Sequence, residues 1–394
     1  MTDTRKPFSF FLVVIPCLAM FLGADNRAQG QTVSSSDSIS RDKHPQPTIT
    51  VVIKTGALAE QVDEVLRDAT EKGFSGAIIA DEHGKVILKA GYGFANREQR
   101  VPFTTHTIAE IASLTKQFTA MALLDLRRQH KVDFSKAVKT YLPQIAEPVA
   151  SVTLEQLLTH SSGMPLYCGG DFERQSKASL LSKCAGNSLG FPPGTQTKYS
   201  NPAFSILAAV VEEISGQPIQ TYLREHFLKP LGMNDTGSTF PGKPRSRFAV
   251  GYLNGKPQEV TDEELTRLQG DYWNLKGNGD MQSSPDDMYR WYAALSRPGS
   301  IPDEMRQAAI EPRIYDRARD SWIAYDWNIK RASDGQTVQV SHSGSDDAFL
   351  AYFCWLRREK RFFYFVSNSG AERAVPIVKH VLDIMQETES QPVR

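Results

Sequence analysis

Long apolar runs are missing from this chain beyond its first two dozen residues, and with them any candidate transmembrane helix, which needs about 20 consecutive apolar residues. Excess charge is missing as well: 45 basic residues balance 45 acidic ones, with no basic run. That argues against nucleic acid or an anionic membrane surface as a partner. The chain has only four cysteines, in no metal-ligand spacing, its eight histidines are scattered, and no H-E-x-x-H occurs. No metal and no other cofactor is therefore expected. The absence of G-x-S-x-G leaves a nucleophile elbow of the α/β-hydrolase kind unsupported. No internal repeat appears.

What is there begins with a short apolar run, Phe8 to Gly23, behind Arg5 and Lys6 and ahead of Ala28-Gln-Gly30. This pattern predicts a secretory signal peptide over 1–30. Pro16 interrupts the run, and a proline just before Cys17 fits a lipidation site poorly. Removing the segment takes away Arg5, Lys6 and Arg27 against Asp3 and Asp25, which leaves a net charge of −1. The mature protein is expected to be secreted or periplasmic. Residues 31–47 are polar, rich in Ser, Asp and Gln, and read as a disordered linker. The remainder, 48–394, at roughly 350 residues, is long enough to bury a large core. Cys168 and Cys184 flank a polar stretch and are a candidate disulfide in an oxidising compartment, with two unrelated thiols as the alternative. Cys354, in Ala351-Tyr-Phe-Cys-Trp-Leu356, is expected in a buried strand.

Periodicity predicts a strand over 48–54, a helix over 57–71, and two strands over 74–80 and 85–90 joined by a turn at Asp81-Glu-His-Gly84. Leu114, Phe118, Met121 and Leu124 mark one face of a helix over 113–128. Asn201-Pro202 reads as a cap followed by a first-turn proline, and Ser284-Pro285-Asp286-Asp287 starts another helix in the same way. Strands return at 322–330, 337–341, 349–356 and 362–366, before a last helix over 373–385. The expected fold is α+β. Sheet segments at about 48–112 and 318–394 form one antiparallel sheet flanked by helices, with a mostly helical region, about 113–317, inserted between them.

The chemistry points to Ser113-Leu-Thr-Lys116. On a helix, positions i and i+3 share a face, about 5–6 Å apart at Cβ, so a lysine amine can reach a serine hydroxyl and take its proton. Alone the motif is weak: Ser40-Arg-Asp-Lys43 repeats it in the polar linker, and an ordinary helix start explains it equally well. Downstream lie Tyr199-Ser-Asn201, one of three Y-x-N matches, and His342-Ser-Gly344, the single H-x-G.

In their order and frames these pieces resemble the serine β-lactamase and penicillin-binding protein family. The similarity is to the branch of class C β-lactamases, DD-carboxypeptidases and related esterases and amidases. The matching segments are Ile111–Lys116, Leu157-Leu-Thr-His-Ser-Ser-Gly-Met-Pro165, Tyr199–Asn201, Pro230-Leu-Gly-Met-Asn-Asp-Thr236, Gly279 with Ser283–Met288, and His342–Gly344. The resemblance covers about residues 55–385 and implies a β-lactamase/transpeptidase-like fold. It implies Ser113 as nucleophile, with Lys116 and Tyr199 acting together as base. A lysine cation beside the phenol would lower its pKa. The backbone N–H groups of Ser113 and Ser345 would bind the oxyanion, and Asn201 would meet the substrate amide or orient Lys116. Gly344 would let substrate backbone lie against the strand. His160 reads as packing.

One position departs from the family. β-Lactamases of this kind usually carry K-T-G where this chain has His342-Ser-Gly344. A histidine is charged only part of the time near neutral pH, which favours a D-amino-acid peptide, amide or ester substrate over a dedicated β-lactamase. That β-lactamase and a catalytically inactive binding protein on the same fold are the alternatives. His342 could also point to solvent. Oligomeric state has no sequence signal.

Overall fold

The computed structural model describes residues 48–387. The signal peptide expected over 1–30, the linker over 31–47 and Ser40-Arg-Asp-Lys43 lie outside the described residues.

The chain opens with β1 (Ile49–Lys54), α1 (Ala57–Glu71), β2 (Gly76–Glu82) and β3 (Lys85–Tyr92). It closes with β4 (Ile314–Asp316), β5 (Ser321–Ile323), β6 (Asn328–Arg331), β7 (Thr337–Ser345), β8 (Leu350–Leu356), β9 (Arg361–Ser367) and the final helix Ala371–Gln386. Among the described residues these strands form one nine-stranded sheet in the order β1-β3-β2-β9-β8-β7-β6-β5-β4. Every pairing is antiparallel, and β9 against β2 joins the two ends of the chain. The long insert between them carries α2 (Thr115–Arg128), α3 (Asn201–Ser215) and α4 (Pro285–Ser296), with shorter helices and irregular segments in between.

Strand β9 shows why the sheet must be covered on both faces. All seven of its residues are buried. Phe363 and Phe365 point into one core, with α1 and the final helix; Phe362, Tyr364 and Val366 point into the other, beneath the insert. The period-2 alternation of a strand thus feeds two separate cores. Each buried phenylalanine contributes about 1.5–3 kcal/mol. Helix α2 is buried from Thr115 to Leu126, as expected of a helix wrapped on all sides.

Two boundaries differ from the sequence reading for physical reasons. Strands β2 and β3 run closer together than predicted, leaving His83 and Gly84 as a two-residue turn at φ +54° and +82°. Positive φ at both positions is what a tight hairpin requires. The single strand predicted over 322–330 is in fact a hairpin, β5 and β6, folded around Ala324–Trp327. Asp326 takes φ +67° there, a region Asp enters more readily than most residues.

Candidate active site

Ser113 sits in a short 3-10 turn, Ala112–Leu114, that leads into α2. Ala112 before it holds φ +42°. Two further non-glycine residues near it share this feature, His160 at +54° and Asp326 at +67°. Such conformations cost on the order of 1–3 kcal/mol each and persist only where surrounding structure imposes them. The imposing contacts are visible. Ile111 N–H donates to the Met281 carbonyl (3.2 Å), Met281 N–H donates to Thr115 Oγ1 (3.1 Å), and Ala109 and Glu110 pair with Ser283 and Gln282.

Lys116 is fully buried. Its Nζ donates to Ser113 Oγ at 3.0 Å and to the Asn278 carbonyl at 2.7 Å. Asn278 is in turn fixed by its side-chain amide, which donates to Ser205 Oγ and the Asn274 carbonyl, each at 2.7 Å. Burial pushes the lysine down to about 8, against the pull of Asp326 and Asp171.

Tyr199 packs tilted against His160, ring centres 4.3 Å apart and planes at 36°, and the Lys116 amine lies 4.8 Å from the centre of its ring. The lysine therefore faces the π-surface rather than the hydroxyl, which faces Ser113 without a hydrogen bond of good geometry. The lowered phenol expected from a neighbouring cation is not found. Burial, with Asp326 next in weight, pushes Tyr199 well above 10.

Asn201 is not the helix cap. Ser200 takes that role: its Oγ accepts from Ala203 N–H (3.3 Å) and donates to the Pro165 carbonyl (2.8 Å). This releases the Asn201 side chain, whose Oδ1 is buried without a partner among the described residues.

His342 is 6% exposed and does not point to solvent. Its Nε2 lies 3.2 Å from Asp326 Oδ2, and the other carboxylate oxygen, Oδ1, lies 2.9 Å from His160 Nε2. Because His160 Nδ1 accepts from Ser200 N–H (3.2 Å), its Nε2 carries the proton and donates to Asp326. One buried carboxylate thus braces both the loop carrying Tyr199 and the strand carrying His342. Burial works to raise Asp326, but His342 and His160 outweigh it and hold the carboxyl well below the usual range. His160 is pushed down by burial, with Asp326 opposing. It does more than pack, since it ties Tyr199 to Asp326.

Gly344 is required by protein backbone rather than by substrate. A Cβ there would stand 1.9 Å from the Ile111 carbonyl oxygen and 3.0 Å from Ser113 N. Strand β7 is thereby pressed against the nucleophile turn. Ser345, exposed at the end of β7, donates its Oγ to the carbonyls of Asp346 (2.8 Å) and Phe349 (3.1 Å).

Ser113, Tyr199, Asn201, His342 and Ser345 line one cavity of about 180 Å³, with Lys116 behind Ser113. Cys168 and Cys184 form a disulfide with Cα atoms 5.5 Å apart, at the base of the segment whose Leu166, Tyr167, Asp171 and Phe172 form a cavity wall. Cys354 is buried in β8. Sequence reasoning missed Asp326, Asn278, and the cavity carboxylates Glu110, Asp171 and Asp346. Asp326 alone left a signal: it is a lone carboxylate in the apolar run Trp322-Ile-Ala-Tyr-Asp-Trp327, where burial demands a partner.

Comparison with known proteins matches the family model described as Beta-lactamase over residues 60–382. Penicillin-binding protein 4* of Bacillus subtilis (strain 168) is 26% identical over 311 residues, covering 75% of this chain and 68% of that protein. Protein flp of Staphylococcus aureus (strain MW2) is 25% identical over 337 residues, covering 82% of this chain and 65% of that protein. The chain thus spans about two thirds of the length of these relatives. In fold, a Beta-Lactamase/D-Alanine Carboxypeptidase from Pseudomonas syringae superposes with a TM-score of 0.70 at 18% identity, over 83% of this chain and 99% of that one.

Proposed function

This chain belongs to the beta-lactamase family of serine hydrolases, and we propose that it forms an acyl-enzyme on Ser113 from a D-amino-acid peptide, an amide or an ester. The observation that carries this reading is the buried Lys116 amine, 3.0 Å from Ser113 Oγ on the cavity floor. Neutral Lys116 takes the Ser113 proton as Oγ bonds to the substrate carbonyl carbon. The backbone N–H groups of Ser113 and Ser345 hold the resulting oxyanion, fixed before the charge develops. Collapse breaks the bond to the leaving group. Tyr199, a phenol that keeps its proton, gives it to that group, and the proton taken up by Lys116 returns to the Tyr199 oxygen through solvent in the cavity. Water then attacks the ester by the reverse proton path and frees Ser113.

Peptidase, amidase or esterase action is favoured over a dedicated β-lactamase because His342, where such enzymes carry a lysine, lies against a buried carboxylate, with Nε2 3.2 Å from Asp326 Oδ2. Secretion or a periplasmic location is favoured by the Cys168–Cys184 disulfide, a bond that persists in oxidising compartments. No helix among the described residues is long and apolar enough to cross a membrane.

The test is labelling with a fluorophosphonate and a fluorescent penicillin, then turnover of nitrocefin, a D-Ala-D-Ala peptide and a p-nitrophenyl ester. The expected result is an adduct on Ser113, absent in Ser113→Ala, with peptide or ester cleaved faster than nitrocefin. An adduct that survives Ser113→Ala overturns the nucleophile assignment. Binding of penicillin without turnover of any substrate makes the protein a binder.

A further inference from the structure

The catalytic cavity is short of positive charge. Four carboxylates line it: Glu110, Asp171, Asp326 and Asp346. Asp326 is answered by two imidazoles. The only guanidinium in the lining, Arg319, is spent on Asp316, with Nη1 2.6 Å from Oδ2. Among the described residues the other three carboxylates are in no ion pair. Glu110 accepts from Thr261 Oγ1 and shares a hydrogen bond with the Asp346 carboxyl; burial, with Asp346 next, pushes Glu110 well above the usual carboxylate range. Asp346 also accepts from the backbone N–H groups of Ala348 (2.9 Å) and Phe349, and Asp171 makes no hydrogen bond.

A second observation points the same way. Four residues of the same lining carry buried atoms without a hydrogen-bond partner among the described residues: Tyr199 Oη, Asn201 Oδ1, Asp326 Oδ2 and His342 Nδ1. The oxygens of Asn201 and Asp326 are acceptors by nature. His342 is itself 94% buried, so no bulk water serves it. The cavity therefore holds three carboxylates that no cation of the lining answers, beside free acceptor oxygens. An ammonium is the complement: three donors, one positive charge and no acceptor. The carboxylates come from three separate segments and are not gathered as a metal-chelating set, which suits an organic cation.

We infer that the substrate carries an ammonium group, held by Asp171 with Glu110 and Asp346. Asp346 follows Ser345 and Glu110 precedes Ser113 by three residues, and these are the proposed donors to the carbonyl that stays on the enzyme. The charge accordingly belongs to the acyl part of the substrate. Burial, with Asp346 next, pushes Asp171 up to about 6, the state of a carboxylate that a bound cation would relieve.

This inference rests on acylation of Ser113, which fluorophosphonate labelling tests separately. The decisive comparison is a set of p-nitrophenyl esters whose acyl chains end in an ammonium, a hydroxyl or a carboxylate. The ammonium ester is expected to have a kcat/KM about tenfold above the hydroxyl ester, the size of one partly desolvated ion pair, and the carboxylate ester the lowest of the three. The advantage shrinks in 0.5 M salt, because screening weakens a charge contact. Asp171→Asn reduces the ammonium-to-hydroxyl ratio, and Asp171→Lys inverts the order in favour of the carboxylate. Ratios within one variant cancel differences in the amount of folded enzyme. Equal turnover of the ammonium and hydroxyl esters by the wild type overturns the inference while leaving the hydrolase reading intact, as does an order unchanged in both Asp171 variants. If no ester acylates Ser113, it is the hydrolase reading that fails.

Discussion

The Lys116 amine lies 3.0 Å from Ser113 Oγ and 4.8 Å from the centre of the Tyr199 ring, so it meets the nucleophile's oxygen but only the face of the phenol. This geometry separates two roles that the sequence leaves joined. Lys116→Met is expected to slow fluorophosphonate labelling by about 10²–10⁴, the usual worth of a positioned base. Tyr199→Phe is expected to cost less than tenfold in the same assay, since fluoride departs without a proton, but about a hundredfold on an amide, whose leaving nitrogen needs one. Equal losses in both assays for both variants would return the two residues to a single inseparable base.

Acylation should follow the titration of Lys116. Burial pushes this group down to about 8, and a base acts only when it has lost its proton. The labelling rate therefore rises with pH, about tenfold per unit below pH 8, and levels off above it. Asp171 raises the lysine from a distance, so Asp171→Asn moves the midpoint to lower pH. A profile flat from pH 6 to 9, or a midpoint that moves upward in this variant, contradicts Lys116 as base.

Asp326 holds His160 at 2.9 Å and His342 at 3.2 Å while itself 2% exposed. Removing one partner from a buried charge pair costs about 3–5 kcal/mol. Asp326→Ala should lower the free energy of unfolding by that amount, as read from urea midpoints at unchanged slope. Asp326→Asn should cost less, because an amide oxygen still accepts from His160. Its activity should nonetheless fall, since Tyr199 and His342 lose their common brace. Full activity in Asp326→Asn would leave this residue a role in folding alone.

Legibility of the sequence followed the range of the interactions. Helix α1 was readable in its bounds from the spacing of Ala57, Val62, Val65 and Leu66, of which Val62 and Leu66 are buried and Ala57 is exposed. The sheet was readable in its two halves, since each strand carries its own alternation. Ser113, Lys116 and Tyr199 were visible as motifs and meet in one place. Competing local caps were harder: Ser200 and Asn201 are both good cap residues, and only the Pro165 carbonyl, 35 positions earlier in the chain, decides between them. The hairpin at Asp326 has neither glycine nor proline to announce it, and its conformation is imposed by two distant histidines. Glu110, Asp171 and Asp346 reach the cavity from three segments that share no pattern, so no reading of neighbours in sequence could gather them.

Gly344 distinguishes two reasons for a glycine beside a nucleophile. If the residue serves substrate access, Gly344→Ala should impair large substrates, spare small ones and leave stability alone. The structure assigns the other reason, because the added Cβ would stand 1.9 Å from the Ile111 oxygen and 2.9 Å from its carbon, both backbone atoms that cannot rotate away. Strand β7 and the turn before Ser113 must then part. Forcing such a contact costs about 1–3 kcal/mol, so Gly344→Ala should lose stability by that amount and slow labelling by small and large fluorophosphonates alike. Gly299→Ala, whose Cβ would meet nothing within 4 Å, provides the control and should stay within about 0.5 kcal/mol of the wild type. The contrast between the two alanines, measured by urea unfolding and labelling rate together, ties the glycine of the H-x-G motif to the placement of Ser113 rather than to the substrate.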